Sequence, residues 1–143
     1  VVFRMLPYES FLAMKYSLPK SERLHAEKSI KELFEKGSSF FLYPFKIVFW
    51  VGEGLEDTAN QVLFSVSKKK IKKATGRNYI KRRLKEAYRL NKALLPPAGL
   101  LLGFVFVGEA KMSFGELEPK MKLVLQKLPN ELSKNLGKHD SKN

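Results

Sequence analysis

The sequence predicts an α+β fold, a small sandwich in which helices pack on a mixed β-sheet. Stretches with helical periodicity alternate with short apolar runs that have the period of a strand. A strand, helix, strand order in the middle of the chain favours parallel pairing of those two strands. The 143 residues are 44% hydrophobic and include eleven Phe, which is enough to form one core. We expect a loose N-terminal extension (1–17), a single domain (18–129) and a polar C-terminal tail (130–143).

The first half of the domain predicts one helix followed by two strands. Ile30, Leu33 and Phe34 recur at helical spacing, and Gly37 is placed to end that helix. In FKIVFWV the apolar side chains occupy both faces of a strand, whereas QVLFSVS alternates with a single strongly apolar face. The stretch GEGLEDTANQ between them indicates a loop.

The second half predicts a basic helix, a buried strand and a final helix. PPAG terminates the basic helix after Leu94, and LLLGFVFVG indicates the buried strand. We expect the final helix to begin near Glu118, because Pro119 fits best within a first turn, and to end at Pro129. Its apolar stripe consists of Leu117, Met121, Val124, Leu125 and Leu128.

Positive charge is concentrated in one window of the chain, SVSKKKIKKATGRNYIKRRLKEAYRLNK. Residues 65–92 hold twelve of the 27 basic residues and one of the 14 acidic ones, so they carry most of the formal net charge of +13. A solvated helix face usually pairs its Lys and Arg with acidic residues one turn away, and here only Glu86 could do so. The local excess therefore points to a polyanionic partner for one face of the protein.

The basic window also predicts an amphipathic helix, at about 100° per residue. On a helix over Arg77–Leu94, the residues expected to face the core are Ile80, Leu84, Ala87 and Leu94. The opposite third of the circumference collects Asn78, Lys81, Arg82, Lys85, Arg89 and Lys92. The lysines of residues 68–73 extend this positive field past the helix N-terminus, where the helix dipole favours anions.

A nucleic acid is the partner that best matches this array, because neutralising a phosphate backbone releases condensed counterions. A membrane surface is the rival polyanion, but Ile80, Leu84 and Ala87 are expected to pack inside the domain and not to insert into lipid. Charge alone does not distinguish DNA from RNA. No helix-turn-helix, zinc or zipper signature indicates reading of a DNA major groove.

The motif itself resembles the signature of the bacterial ribonuclease P protein subunit. That pattern runs S-x-[SA]-K-K, about seven residues, then R-N-R-x-K-R-x-x-[KR]-E-x-[FY]-R. The matching positions are Arg77, Asn78, Lys81, Arg82, Lys85, Glu86, Tyr88 and Arg89. Tyr79 departs from it, since the family usually has a second Arg there. SERL followed by a short helix ending LFEKG is similar to the family's opening, and the resemblance covers most of residues 20–128.

This resemblance implies a ribosomal-protein-like α+β sandwich with a left-handed βαβ crossover, an exception to the usual hand. It also implies a non-catalytic protein subunit of an RNA-based endoribonuclease, which joins a large catalytic RNA and helps remove the 5′ leader of precursor tRNA. Both RNAs are then its partners. The alternative is a structural ribosomal or other RNA-binding protein, which would share the basic helix but needs no leader-binding cleft.

The resemblance further implies two sets of binding residues. Those expected to face the RNA subunit are Lys68, Lys69, Lys72, Lys73, Arg77, Asn78, Lys81, Arg82, Lys85 and Arg89. Those expected to line a cleft for the single-stranded leader are Ile30, Phe34, Val48, Ser65 and Phe104. Unpaired bases stack on aromatic rings, which suits such a cleft. Ordinary core packing is an equally good explanation of Phe34 and Phe104, and Lys46 and Trp50 share the face of Val48.

The sequence shows no catalytic constellation. His25 and His139 lie outside the motifs, and the acidic residues of the GEGLEDTANQ loop indicate a solvated turn. No triad, zinc spacing or phosphate-binding loop is present. The resemblance implies that RNA-bound Mg²⁺ carries the hydrolysis, so no metal is expected to bind tightly to the protein.

Composition indicates a cytoplasmic protein that does not enter a membrane. The chain has no Cys, and its longest apolar run, residues 98–108, is too short to cross a bilayer. Arg4 and Glu9 interrupt any signal-peptide pattern near the start.

Overall fold

A computed structural model describes residues 18–51 and 58–141, with side chains as far as Lys134. The predicted α+β architecture is confirmed, with helices on both faces of a four-stranded mixed sheet. The strands are β1 Ser38–Leu42, β2 Phe45–Val51, β3 Gln61–Val66 and β4 Leu100–Phe106. The helices are α1 Glu27–Lys36, α2 Ala74–Asn91 and α3 Phe114–Ser141, with short 3-10 turns at Lys20–Glu22 and Lys92–Leu94.

The sheet has the strand order β1-β2-β4-β3. β2 pairs antiparallel with both of its neighbours, whereas β3 and β4 run parallel and are joined through α2. The expected parallel crossover is therefore present. A single parallel bridge between Arg23 and Val62 lays the chain before α1 against the outer edge of β3.

The two faces of the sheet are covered by different helices. α2 and α3 share one face, where their apolar stripes close a large core around Phe45, Phe64 and Phe104. α1 lies on the other face, where Leu33 packs with Val48 in a second, much smaller cluster. Strand alternation explains this division, because successive residues of one strand point to opposite faces.

Strand β1 is the one sheet element that the sequence did not predict. It forms a hairpin with β2 through Tyr43 and Pro44, which are joined by a cis peptide bond. Its two Ser and its outward-facing Phe41 give a weak alternation, typical of an edge strand that packs on one side only. Phe40 and Leu42 face the large core.

Helix α3 differs from the prediction at both ends. It begins at Phe114 instead of near Glu118, because the Ser113 hydroxyl caps it by accepting a hydrogen bond from the Glu116 N–H at 3.3 Å. The spacing Ser113-x-x-Glu116 is a capping-box signal. Pro119 and Pro129 both lie inside the helix, so the prediction that Pro129 ends it was wrong. The helix continues into the predicted polar tail.

Helix α2 also differs in detail. It starts three residues earlier than predicted and passes into the 3-10 turn at Lys92, which breaks the 100° spacing. Leu94 is consequently exposed, contrary to the prediction, and Leu95 is buried in its place. Tyr88 and Asn91 complete the inward stripe beside the predicted Ile80, Leu84 and Ala87. The N-terminal extension and most of the GEGLEDTANQ loop lie outside the described residues.

Candidate RNA interface

Helix α2 presents its cations away from the core, as predicted. Ile80, Leu84 and Ala87 are fully buried, whereas Asn78, Arg82 and Lys85 are exposed on the opposite side and Lys81 is half-exposed. The helical period alone separates the buried apolar residues from the exposed basic ones, because both sets lie on opposite sides of the same helix. Within the described parts of the chain, none of these three cations is in an ion pair with a carboxylate.

The lysine loop before α2 is anchored by its one apolar residue. Ile71 is buried in the large core, while Lys68, Lys69, Lys70, Lys72 and Lys73 are all exposed. Ser67 fixes the start of the loop, since its carbonyl accepts from the Ile71 N–H at 3.0 Å and its hydroxyl from the Lys69 N–H at 3.2 Å. Gly76 allows the first turn of α2 to lie close to the Ile71 side chain, because a Cβ at position 76 would lie 2.8 Å from Ile71 Cγ2.

Arg77 orders this loop. Its guanidinium donates to the carbonyl oxygens of Ile71 at 2.9 Å and Lys72 at 2.7 Å. Two N–H donors of the Arg77 guanidinium are therefore used in hydrogen bonds within the protein. The sequence placed Arg77 among the residues facing RNA, and the structure gives it a positioning role for the neighbouring lysines.

Two further basic residues, Arg89 of α2 and Lys92 of the 3-10 turn that follows it, are neutralised by carboxylates. Arg89 donates to both carboxylate oxygens of Glu86, one turn back on the helix. This hydrogen bonding is the main cause that lowers the pKa of the Glu86 carboxyl and raises the pKa of Arg89. Lys92 donates to both oxygens of Glu22, at 2.9 and 3.0 Å, and only 10% of its side chain is exposed.

Lys92 therefore does not lie among the exposed cations of α2, contrary to the helix-wheel prediction. The charge of Arg89 is largely compensated by Glu86. We use the term cationic face for the remaining residues of the predicted set, all of them exposed except the half-exposed Lys81: Lys68, Lys69, Lys72, Lys73, Asn78, Lys81, Arg82 and Lys85. The N-terminus of α2 points into this face, with no acidic residue in its first turn and no side-chain cap. Its free N–H groups add to the attraction for anions.

Arg83 is held beside the cationic face by two contacts. Its guanidinium donates to the Met112 carbonyl at 2.7 Å, across to the turn that precedes α3. The same group lies 3.8 Å from the centroid of the Tyr79 ring, one turn back on α2. Tyr79 remains 47% exposed in this arrangement.

The other candidate surface lies on the face of the sheet that carries α1. Sheet register places Phe41, Lys46, Val105 and Ser65 side by side, one from each strand in the order β1-β2-β4-β3. The neighbouring row, which includes Val48 and Gly103, is covered by Leu33 of α1. The outer row remains at least partly exposed, and Phe41 is 60% exposed.

Phe34 of α1 borders this outer row. A Cβ at Gly103 would lie 3.7 Å from Phe34 Cζ, so the ring lies over the sheet, although 48% of the residue is exposed. We use the term open strip for Phe34, Phe41, Lys46, Ser65 and Val105. It combines two exposed aromatic rings with one cation and one hydroxyl, groups that suit unpaired bases and their phosphates.

The predicted leader cleft agrees with this surface in part. Phe34 and Ser65 belong to the open strip, while Ile30 of α1 and Val48 of β2 pack in the small cluster between that helix and the sheet. The placement of Phe104 was wrong. It is fully buried on the opposite face, and its ring lies 5.5 Å from that of Phe64 and 5.9 Å from that of Phe45.

Strand parity explains the error. Leu100, Leu102, Phe104 and Phe106 all face the large core, so Gly103 and Val105 face α1. Sequence reasoning missed Phe41 and Val105. Gly103 was the sequence signal for the face that α1 covers, because a glycine inside a buried strand often lies where another element approaches the backbone closely.

No metal site or membrane span is found within the described residues. They contain no group of three His, Asp or Glu side chains close enough to hold a metal ion. None of the helices, over the same residues, is long and apolar enough to cross a bilayer.

Comparison with known proteins points to one family. A family model described as Ribonuclease P matches residues 18–129. The ribonuclease P protein component of Porphyromonas gingivalis ATCC 33277 is 41% identical over 80 residues, which are 56% of this chain and 58% of that protein. That of Geobacter sp. M21 is 40% identical over 78 residues, or 54% and 64% of the two chains. The chain thus spans less than two thirds of either relative.

Solved structures show the same fold. The RNase P protein from Thermotoga maritima has a TM-score of 0.63 at 23% identity, covering 74% of this chain and 96% of that one. The Staphylococcus aureus RNase P protein has a TM-score of 0.61 at 20% identity, covering 75% and 94%. At this level of identity the likeness concerns architecture alone.

Proposed function

The chain belongs to the ribonuclease P protein family, and we propose that it binds the catalytic RNA of that ribonucleoprotein through the cationic face. In this role it is a protein subunit of a tRNA-processing endoribonuclease. The observation that carries the proposal is a set of seven cations, six of them exposed and Lys81 half-exposed, that pair with no carboxylate within residues 18–51 and 58–134.

Electrostatics favours a nucleic acid as the partner for this face, and the family match supports RNA as that nucleic acid. Unpaired cations on a rigid helix keep their full charge until a phosphate replaces their counterions, and the released ions supply much of the binding free energy. The anchored loop and α2 hold the cations in place before binding. Little side-chain and loop ordering then remains to oppose association.

We propose that the open strip binds the single-stranded 5′ leader of precursor tRNA. Phe34 and Phe41 offer ring surface for stacking, which tolerates any base, and Lys46 lies between Phe41 of β1 and Val105 of β4, where it can meet a phosphate. The open strip includes Ser65 of β3, and the lysine loop of the cationic face follows directly after that strand. One protein can therefore contact both RNAs and lower the repulsion between them.

Mg²⁺ enters this proposal as a partner of the RNA. The described residues offer no acidic cluster of their own for the ion. The protein instead lowers the amount of divalent ion needed, because its cations replace part of the ionic screening between two polyanions.

A reconstitution assay tests the proposal. Purified protein is added to the catalytic RNA and to precursor tRNA at a Mg²⁺ concentration where the RNA alone is slow, and the mature 5′ end is measured. We expect faster cleavage, and a smaller gain for the Arg82→Ala/Lys85→Ala variant. The control is Lys122→Ala/Lys127→Ala, which removes the same charge from exposed positions of α3, where Lys122 lies 3.6 Å from Glu118 and Lys127 5.3 Å from the Phe40 ring centroid.

Two results would overturn the proposal. No gain in cleavage with tight RNA binding would favour the alternative, a structural RNA-binding protein. An equal loss in the α3 control would show that net charge matters and that the cationic face has no special role.

A further inference from the structure

The exposed side of α2 contains one aromatic residue among its cations. Tyr79 follows Asn78 and lies one turn before Arg82 and Arg83, so its neighbours on the helix surface belong to or border the cationic face. It is about half exposed and is absent from both hydrophobic clusters. Core packing therefore does not account for this ring.

The orientation of the ring is set by Arg83. The guanidinium lies 3.8 Å from the ring centroid and covers one face, and it also donates to the Met112 carbonyl at 2.7 Å. The exposed area of Tyr79 consequently comes from its second face and its edge. A Tyr side chain has two rotatable bonds, so little freedom is left to lose on binding.

We propose that Tyr79, braced by Arg83, is a stacking platform for an unpaired nucleobase of the RNA bound at the cationic face. This inference rests on the proposed function and adds a contact of another kind to it. A planar ring with a cation behind it attracts the face of a base, whereas the surrounding lysines attract phosphates regardless of base pairing. The cationic face then recognises an unpaired nucleotide at one defined position.

Salt dependence separates the two kinds of contact. Each phosphate neutralised contributes to the slope of log affinity against log salt, but stacking releases no counterions. We expect Tyr79→Ala to bind the catalytic RNA roughly 5- to 100-fold more weakly with an unchanged slope. Tyr79→Phe, which keeps the ring, should bind like the unmodified chain. Arg82→Ala/Lys85→Ala should lower the slope.

A base-paired RNA duplex supplies the second arm of the test, because it offers no unpaired base inside the helix. Tyr79→Ala should leave affinity for the duplex unchanged, while Arg82→Ala/Lys85→Ala should weaken it. Thermal melts of every variant check that the fold is intact.

The inference is overturned if Tyr79→Ala binds the catalytic RNA normally, lowers the salt slope, or weakens duplex binding equally. In those cases Tyr79 acts only as an intrahelical partner of Arg83. If the unmodified chain does not bind the catalytic RNA more tightly than the duplex, the proposed function fails as well. The two failures are thus distinguishable.

Discussion

The two faces of the sheet differ in how completely they are covered. Under α2 and α3, the described part of the chain buries twenty-one apolar residues in one cluster, whereas under α1 it buries four. Two long helices close the first face, and the ten-residue α1 leaves a whole row of the second face open. Stability therefore depends mainly on one face, which leaves the other face free to carry binding groups.

Phe104 and Phe34 should respond oppositely to truncation, and this is the largest effect we expect. Phe104→Ala removes a fully buried ring from the large core and should lower the free energy of unfolding by about 3–5 kcal/mol. Phe34→Ala removes a half-exposed ring and should cost less than about 1 kcal/mol. Chemical denaturation of both variants measures the difference. Similar losses would mean that the α1 face is as important to stability as the other.

Truncation of the open strip should weaken leader binding with only a small loss of stability. Phe34→Ala with Phe41→Ala removes two stacking rings, each of which contributes roughly 1–3 kcal/mol per stacked base. We expect lower affinity for precursor tRNA and unchanged affinity for mature tRNA, measured by titrating the reconstituted enzyme with each. Leu123→Ala, which removes an exposed apolar side chain from α3 outside the strip, is the control. Equal weakening of both tRNAs would exclude a leader-specific role.

Arg82 and Lys85 of the cationic face should act through their charge. Arg82→Ala with Lys85→Ala should weaken binding to the catalytic RNA by about tenfold near 100 mM salt and reduce the salt slope by about one to two. Both side chains are exposed, so the melting temperature should not change. Filter binding at several salt concentrations gives both quantities. Unfolding of this variant would show that the outward side of α2 is needed for the fold.

Comparing Arg77→Ala with Arg82→Ala tests whether Arg77 holds the lysine loop in place, a role that Arg82 does not have. Arg77→Ala loses two hydrogen bonds to loop carbonyls, so we expect a destabilisation of about 1 kcal/mol, which Arg82→Ala should not show. Amide hydrogen exchange at residues 68–73 should also become faster. Unchanged exchange would mean that the buried Ile71 side chain holds the loop without help.

Local patterns were enough to predict most of the fold and the cationic face. Ile80, Leu84 and Ala87 share one stripe of α2 with cations opposite, and the helical period relates both stripes without reference to any other element. The apolar patterns that predicted strands β2 and β3 likewise depend only on residues close together in the sequence. Strand β1 and the true start of α3 were missed because an edge strand needs little apolar pattern and because Ser113 caps the helix through a single hydroxyl.

Properties that depend on contacts between distant segments could not be predicted in this way. A period of two shows that Phe104 and Val105 face opposite sides, but the helix that covers each side is decided by packing. Lys92 is neutralised by Glu22, seventy residues earlier in the chain, and Arg77 turns toward loop carbonyls. Periodicity is a property of each element alone, whereas burial and pairing depend on how the elements meet. Which rings and charges remain available to RNA therefore follows from the assembled fold.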